Sequence, residues 1–296
     1  MPDAVTCRDE HITPREQPGT GRPIVLTTDF GLADAYAGVM RGVVLGINPG
    51  ATVIDLTHLI QPQNVRQAAF VLGANYRFFP DGSIHVAVVD PGVGTKRRAL
   101  LLVTPLASFV APDNGILSYV VGDYLDEVPA GRGTAALPSS LAAYSLENPQ
   151  YWLQPVSRTF HGRDVFAPAA AHLTLGVAPE DFGPPVNEMV WLAASQPETR
   201  DTGIHGEVVY ADHFGNLVTN IPAGALEHAG GIQVEIKGRR IAGLAGTFGE
   251  GDPEADGGLI ALVGSHGYLE VAVRNGSAAL TLGAGVGEPV RVTAAG

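Results

Sequence analysis

Apolar residues follow one rhythm in the first two thirds of the chain and another in the last third. Pro23-Ile24-Val25-Leu26-Thr27-Thr28 is an unbroken run that predicts a buried strand; from Asp34 onward Tyr36, Val39, Met40, Val43, Val44 and Ile47 return at helical spacing. Ala51 to Leu56 predicts a second strand. Pro62 to Phe79 predicts a second helix, with Val65, Ala69, Leu72 and Tyr76 on one face and Pro80-Asp81-Gly82 ending it. Ile84 to Val89, Leu100 to Val103 and Phe109 to Ala111 read as strands, Gly115 to Val121 as a short helix, and Val165 to Leu175 as a further helix. Strands alternating with helices predict an α/β unit whose largely parallel sheet lies between helices. The Ala-, Pro- and Ser-rich stretch from Gly131 to Ser157 has little periodicity and is expected to wander over the surface.

Beyond this the texture changes. Ser195 to Gly203 is polar and broken, the best linker in the chain, and after it come short β-rich pieces punctuated by Gly and Asn: Glu207 to Tyr210, Asn216 to Ile221, Gln233 to Ile236, Leu259 to Val263, Tyr268 to Val273 and Pro289 to Val292. They predict a small antiparallel barrel or sandwich. The expected organisation is a flexible tail over 1–22, an α/β domain over 23–194, a linker over 195–203 and an all-β domain over 204–296.

Composition narrows the chemistry. With 30 acidic against 18 basic residues the net charge is −12, which repels phosphate backbones and offers no polybasic run for anionic lipid, so neither nucleic acid nor membrane is an expected partner. The single cysteine, Cys7, excludes an internal disulfide framework and a cysteine zinc cluster. No apolar run has transmembrane or signal-peptide length, and the expected location is the cytoplasm. The nine histidines form no H-E-x-x-H pair, so no metal site is signalled.

Candidate chemistry sits in loops at predicted strand ends, where open α/β sheets present ligand sites. Asp29, just past the first strand, suits a ribose diol, although turns and helix caps use the same residue type. Asp34 has the same ambiguity, with a ligand ammonium as its functional partner. Asp90 opens Pro91-Gly92-Val93-Gly94, a loop that lets backbone approach a ligand and lets Arg97 or Arg98 fold back onto the carboxylate. The loop matches neither a dinucleotide nor a P-loop fingerprint. His161 lies between Phe160 and Gly162, ahead of Arg163-Asp164. In the β-rich unit, Asp212-His213-Phe214-Gly215-Asn216 serves as a hairpin turn or as an adenine contact, with Phe214 stacking and Asn216 reading the base edge. Ser265-His266-Gly267 and Arg274-Asn275-Gly276 are comparable loops.

Taken in order, T-T-D-F-G, V-D-P-G-V-G-T-x-R, A-P-D-N-G (Ala111 to Gly115), F-H-G-R-D, D-x-F-G-N-x-x-T-N (Asp212 to Asn220) and S-x-G-Y (Ser265 to Tyr268) resemble the S-adenosylmethionine hydroxide adenosyltransferases, a family related to the fluorinase and chlorinase enzymes. The resemblance runs from about Arg22 to the C-terminus. It implies an α/β domain followed by a C-terminal β-barrel, a homotrimer with substrate held between subunits, and hydrolysis of S-adenosyl-L-methionine to adenosine and L-methionine without a cofactor. By motif position, Asp29 would hold the ribose hydroxyls, Asp34 and Asp212 the methionine ammonium, and Asn216 the adenine edge, with Phe214 and Phe248 packing on the base. Ser265 and His266 fall where the relatives bind the methionine carboxylate, His266 replacing an arginine of the fluorinase pattern. Arg274 to Gly276 fall where they approach the base, and Phe160 flanks the pocket.

Asp90, Arg97 and His161 match the family's water-handling set, Arg97 orienting and either Asp90 or His161 accepting the proton. The halogenating relatives carry tyrosines at the positions of Asp90 and His161, the fluorinase a serine at that of Gly162, and this chain lacks the fluorinase insertion between Leu102 and Ala111. A carboxylate in that pocket repels a halide, which favours hydroxide as the nucleophile. Two competing readings are a halide-using adenosyltransferase and a non-catalytic sensor of adenosine or S-adenosylmethionine.

Overall fold

The first unit's apolar runs become strands covered on both faces. The computed structural model describes residues 21–129, 131–192, 196–226, 231–250 and 256–294. In chain order it places β1 (Ile24–Thr28), α1 (Tyr36–Ile47), β2 (Val53–Thr57), α2 (Val65–Asn75), β3 (Ile84–Val88), β4 (Ala99–Val103), β5 (Ser108–Pro112), α3 (Ser118–Gly122), β6 (Gly133–Ala136), β7 (Ala142–Ser145), α4 (Ala167–Thr174) and β8 (Glu188–Trp191). One sheet runs β2-β1-β3-β5-β4-β7. Its first four strands are parallel, whereas β4 lies antiparallel between β5 and β7. The tight turn closed by Thr104 N–H on the Ala107 carbonyl (2.9 Å) dictates that reversal, since a hairpin can join only antiparallel strands.

Every residue of β3 is buried, because α1 and α4 cover one face of the sheet and α2 and α3 the other. The helical spacing of Met40 and Val44 puts them under α4, while Leu72 joins Leu117 and Val120 on the far side. Each such side chain contributes roughly 1.5–3 kcal/mol when fully buried. The second helix is shorter than its apolar spacing predicts. Gln63 takes a left-handed φ of 64°, Asn64 caps α2 by accepting from Gln67 N–H at 3.0 Å, and Tyr76–Phe78 tighten into a 3₁₀ turn.

The stretch expected to wander is in part ordered by pairing. β7 adds to β4, and β6 pairs with β8 as a separate ribbon. Alanine and serine carry no clear strand signal, so backbone hydrogen bonding decides these segments. Arg22, assigned to the tail by sequence, is tied in through Gly82 O at 2.7 Å and Ser108 Oγ at 2.9 Å. Cys7 and the tail up to residue 20 lie outside the described residues.

The second unit holds β9 (Glu198–Arg200), β10 (Gly203–Ala211), β11 (Leu217–Pro222), β12 (Ile232–Ile236), β13 (Arg239–Ala242), β14 (Leu259–Val263), β15 (Tyr268–Val273), α5 (Ala278–Leu282) and β16 (Pro289–Ala294). The sheet order is β13-β12-β16-β10-β11-β15-β14, every pairing antiparallel, with β9 on the first half of β10. It curls into a nearly closed barrel where Ala245 bridges Leu262 of β14. Val234, Leu269, Val271 and Val292 fill its interior. The segment expected as a linker contributes β9, so the chain joins the barrel sheet before residue 204.

Phe70 of α2 packs against the second unit. It is buried, with its ring 5.5 Å from Tyr210, 5.9 Å from His266 and 6.0 Å from Tyr268. No helix among the described residues is long and apolar enough to cross a membrane.

Candidate active site

Two clefts collect most of the sequence candidates, and no residue lines both. The first, about 250 Å³, opens at the ends of β1 and β3 and is lined by Asp29, Phe30, Gln63, Asp90, Phe160 and His161 among others. Asp29 follows β1 directly, and its Oδ2 accepts the backbone N–H of Gln63 at 2.7 Å. Gln63's left-handed conformation aims that N–H, a contribution no sequence motif announced. Phe30, Tyr36 and Phe160 pack edge to face or tilted at 5.0–5.6 Å between centroids, walling the cleft beside Asp29.

Asp90 and Arg97 meet across the glycine loop, as the reach of seven residues allows. Arg97 Nε donates to Asp90 Oδ1 and Oδ2 at 3.0 Å each, and Nη2 bonds Oδ2 as well. The same Nη2 donates to His161 Nδ1 at 2.8 Å, so one guanidinium bridges all three predicted groups. The Asp90 and Arg97 side chains are only 5% and 10% exposed, where a fully partnered ion pair holds and an isolated charge would not. One glycine makes this loop possible. Gly94 has φ +75°, and a Cβ there would lie 2.2 Å from the Arg158 carbonyl oxygen. Arg98, the other candidate to meet Asp90, turns instead to Asp113 of the A-P-D-N-G motif, with Nε to Oδ2 at 2.8 Å. Asn114 of that motif donates to Val89 O at 2.8 Å and so holds the strand end from which Asp90 projects.

His161 enters the cleft at the start of a π-helical turn, Gly162–Phe166. Its cause lies in the next helix: Pro168 has no N–H to give Asp164 O, and Leu153 N–H takes that carbonyl at 2.8 Å. The Asp164 side chain is buried and accepts from Arg163 Nε at 2.6 Å and Ser157 N–H at 2.8 Å, which fixes the loop carrying Phe160. Burial lowers the His161 pKa, the Arg97 charge adds to the shift, and Asp90, Asp164 and the Ser157 backbone oppose it. Because an arginine can only donate, His161 Nδ1 is the acceptor and the ring is neutral with its proton on Nε2.

The second cleft, about 800 Å³, lies on the outer face of β14 and β15 and is lined by Asp212, Phe214, Asn216, Phe248, Ser265, His266 and Gly276, with Gly246, Thr247, Gly264 and Glu270. Phe214 is 73% exposed and Phe248 47%, large aromatic faces without a cover. Asp212 holds its own turn: Oδ1 accepts Phe214 and Asn216 N–H, both at 2.9 Å, and Oδ2 accepts Asn216 Nδ2 at 2.8 Å. Asn216 keeps Oδ1 and one N–H for a ligand edge. His266 Nδ1 is buried with no hydrogen-bond partner among the described residues.

Three candidates lie off these linings. Arg97 stands behind Asp90 and His161 and faces a separate cleft with His161. Asp34 is exposed ahead of α1, makes no capping bond to it, and lines neither cleft. Arg274 projects from an exposed turn while Asn275 and Gly276 line the second cleft. Among the described residues, no group of three His, Cys, Asp or Glu side chains is placed to hold a metal ion.

The family model for the SAM hydroxide adenosyltransferase N-terminal domain matches residues 24–183, and that for the C-terminal domain residues 206–291. The (R)-S-adenosyl-L-methionine hydrolase of Thermus thermophilus is 42% identical over 277 residues, covering 92% of this chain and 99% of the relative. A fluorinase of Actinoplanes is 28% identical, covering 86% and 92%. A solved structure of an uncharacterized conserved protein from Thermotoga maritima superposes with a TM-score of 0.79 at 34% identity, over 91% of this chain and 99% of that one.

Proposed function

The chain belongs to the SAM hydroxide adenosyltransferase family, and from that membership we propose that it hydrolyses S-adenosyl-L-methionine to adenosine and L-methionine, with Asp90, Arg97 and His161 handling the water. The observation that carries the reading is the single guanidinium bridging a carboxylate and an imidazole that both line the Asp29 cleft.

The sulfonium is already an excellent leaving group, so the protein must position a water and remove its proton. As the water oxygen bonds to C5′, the C5′–S pair leaves on sulfur, which becomes the methionine thioether, and one water proton departs. In-line placement is worth roughly 7–11 kcal/mol in a near-attack pose. A guanidinium about 4 Å from the oxygen favours hydroxide by about 4 kcal/mol at an effective dielectric of 20, or about 3 pK units. From a water pKa near 15.7 that cannot store free hydroxide at neutral pH, so the proton leaves as the C–O bond forms. Arg97 occupies the one unprotonated nitrogen of His161, which makes His161 a positioning residue for the guanidinium. Asp90 is then the proton acceptor.

Asp29 binds the ribose, and Phe214, Phe248 and Asn216 bind adenine. Ser265 and His266 take the methionine carboxylate, with Asp34, Asp212, Arg274 and Gly276 also contacting substrate. Because one chain keeps its reacting and binding clefts separate, the working enzyme is a homotrimer in which a neighbour's second cleft completes the first. It acts in the cytoplasm and needs no cofactor. The α/β domain begins at Arg22 and the barrel domain at β9.

The 42% identity to the hydrolase, against 28% to the fluorinase, favours water over halide. Incubation with S-adenosylmethionine in excess chloride tests this: adenosine and methionine in equal amounts are expected. A 5′-chloro-5′-deoxyadenosine product, or tight binding without methionine release, overturns it.

A further inference from the structure

Beside Asp212 in the second cleft stands a carboxylate to which no motif drew attention. Glu270 lies on β15, where alternation sends Leu269 and Val271 into the barrel core and Glu270 to the outer face. On that face Ala245 packs on Ile260, Leu262 and Ala272, and Glu270 itself is only 4% exposed. Its carboxylate makes no hydrogen bond or ion pair among the described residues, yet it lines the cleft. Burial and the Asp212 charge raise its pKa, as expected for a buried anion without a partner.

Its surroundings are shaped to keep it there. Gly264 also lines the cleft, and the Glu270 carboxylate lies directly against it: a Cβ there would sit 2.2 Å from Oε2 and push the carboxylate aside. The next two residues are Ser265 and His266, the groups assigned to the methionine carboxylate. An amino acid carries its ammonium and carboxylate on the same carbon, so an ammonium partner must lie within that short span of them. Asp212 brings only part of its capacity to the task, because three hydrogen bonds to its oxygens already hold the 212–216 turn and Oδ2 accepts just one of them.

We propose that Glu270 is a further anionic partner of the substrate's α-ammonium, acting beside Asp212. This inference rests on the S-adenosylmethionine reading above and names a specificity residue within it. A buried carboxylate with no internal partner costs folding free energy, and a cation seated against it recovers that cost. The cleft therefore selects ligands that carry an amino-acid head group.

The test compares wild type with Glu270→Gln, using S-adenosylmethionine and a sulfonium analogue with hydrogen in place of the α-amino group. For Glu270→Gln, KM for S-adenosylmethionine is expected to rise about ten- to hundredfold, with kcat within about threefold. KM for the deaminated analogue and Kd for adenosine stay at wild-type values, and the thermal midpoint is not lowered. An unchanged KM for S-adenosylmethionine in a variant that still turns over overturns the proposal and leaves the hydrolase reading intact. Equal losses for both sulfonium substrates and adenosine also overturn it, as general damage to the cleft. Absence of turnover in the wild type fails the hydrolase reading itself.

Discussion

The two clefts differ in how far their polar groups are already satisfied. In the first, Asp90, Arg97 and His161 are bonded to one another and Asp29 already accepts a backbone N–H, so the geometry stands before any ligand arrives. In the second, Glu270 and His266 Nδ1 are without a partner among the described residues and two aromatic faces are open. A site that must stabilise developing charge gains from groups fixed in advance. A site that must grip a whole molecule keeps hydrogen-bonding capacity for it. The first cleft is thus read as the reacting half and the second as the binding half.

The most severe way to break this division is through Asp90. Asp90→Asn should lower kcat by about 10²- to 10⁴-fold with little change in KM, measured by single-turnover and steady-state assays. A change in KM alone would move Asp90 to the binding half. Phe214→Ala should do the opposite, raising KM by the roughly 1–3 kcal/mol of a base stack while kcat holds.

His85 of β3 sharpens the comparison from outside it, since unsatisfied nitrogens alone do not make a binding site. Its ring is 0% exposed, stacked 5.2 Å from Phe109, with neither nitrogen bonded, and burial lowers its pKa to about 4. As pH falls from about 6.5 towards 4, the unfolded chain takes up a proton that the folded chain refuses, so stability is lost on acidification. At pH 5 the cost is about 2 kcal/mol, and above pH 6.5 there is none. Denaturant melts of His85→Leu should show a weaker fall in stability between pH 7 and 5 than wild type, with activity at pH 7.5 unchanged. The smallest expected effect concerns the positioning residue. His161→Ala should reduce kcat about tenfold, and His161→Asn, whose Oδ1 can accept from Arg97 in place of Nδ1, should restore most of it.

Strand ends and their motifs were readable because buried parallel strands are unbroken apolar runs, and Asp29, Asp90 and Arg97 sit directly on them. Loop spacing left Arg97 and Arg98 equal and only the family resemblance chose Arg97; the physical reason, Asp113 capturing Arg98 from another strand, belongs to the fold. β9 and β13 escaped because Glu198–Arg200 and Arg239–Ala242 are short and largely polar, and pairing with β10 and β12 decides them. Gln63 escaped because its role belongs to its backbone. Glu270 escaped for a different reason: in Tyr268–Val273 it reads as an ordinary solvent-facing strand residue, and its burial comes only with the assembled sheet.

The division of labour rests finally on water being the nucleophile at C5′. Turnover of S-adenosylmethionine in ¹⁸O-water, followed by mass analysis of both products, tests that directly. The account predicts one ¹⁸O in the 5′-oxygen of adenosine and none in methionine. Unlabelled adenosine, or label in methionine or a homoserine product, would place the attack elsewhere and contradict it.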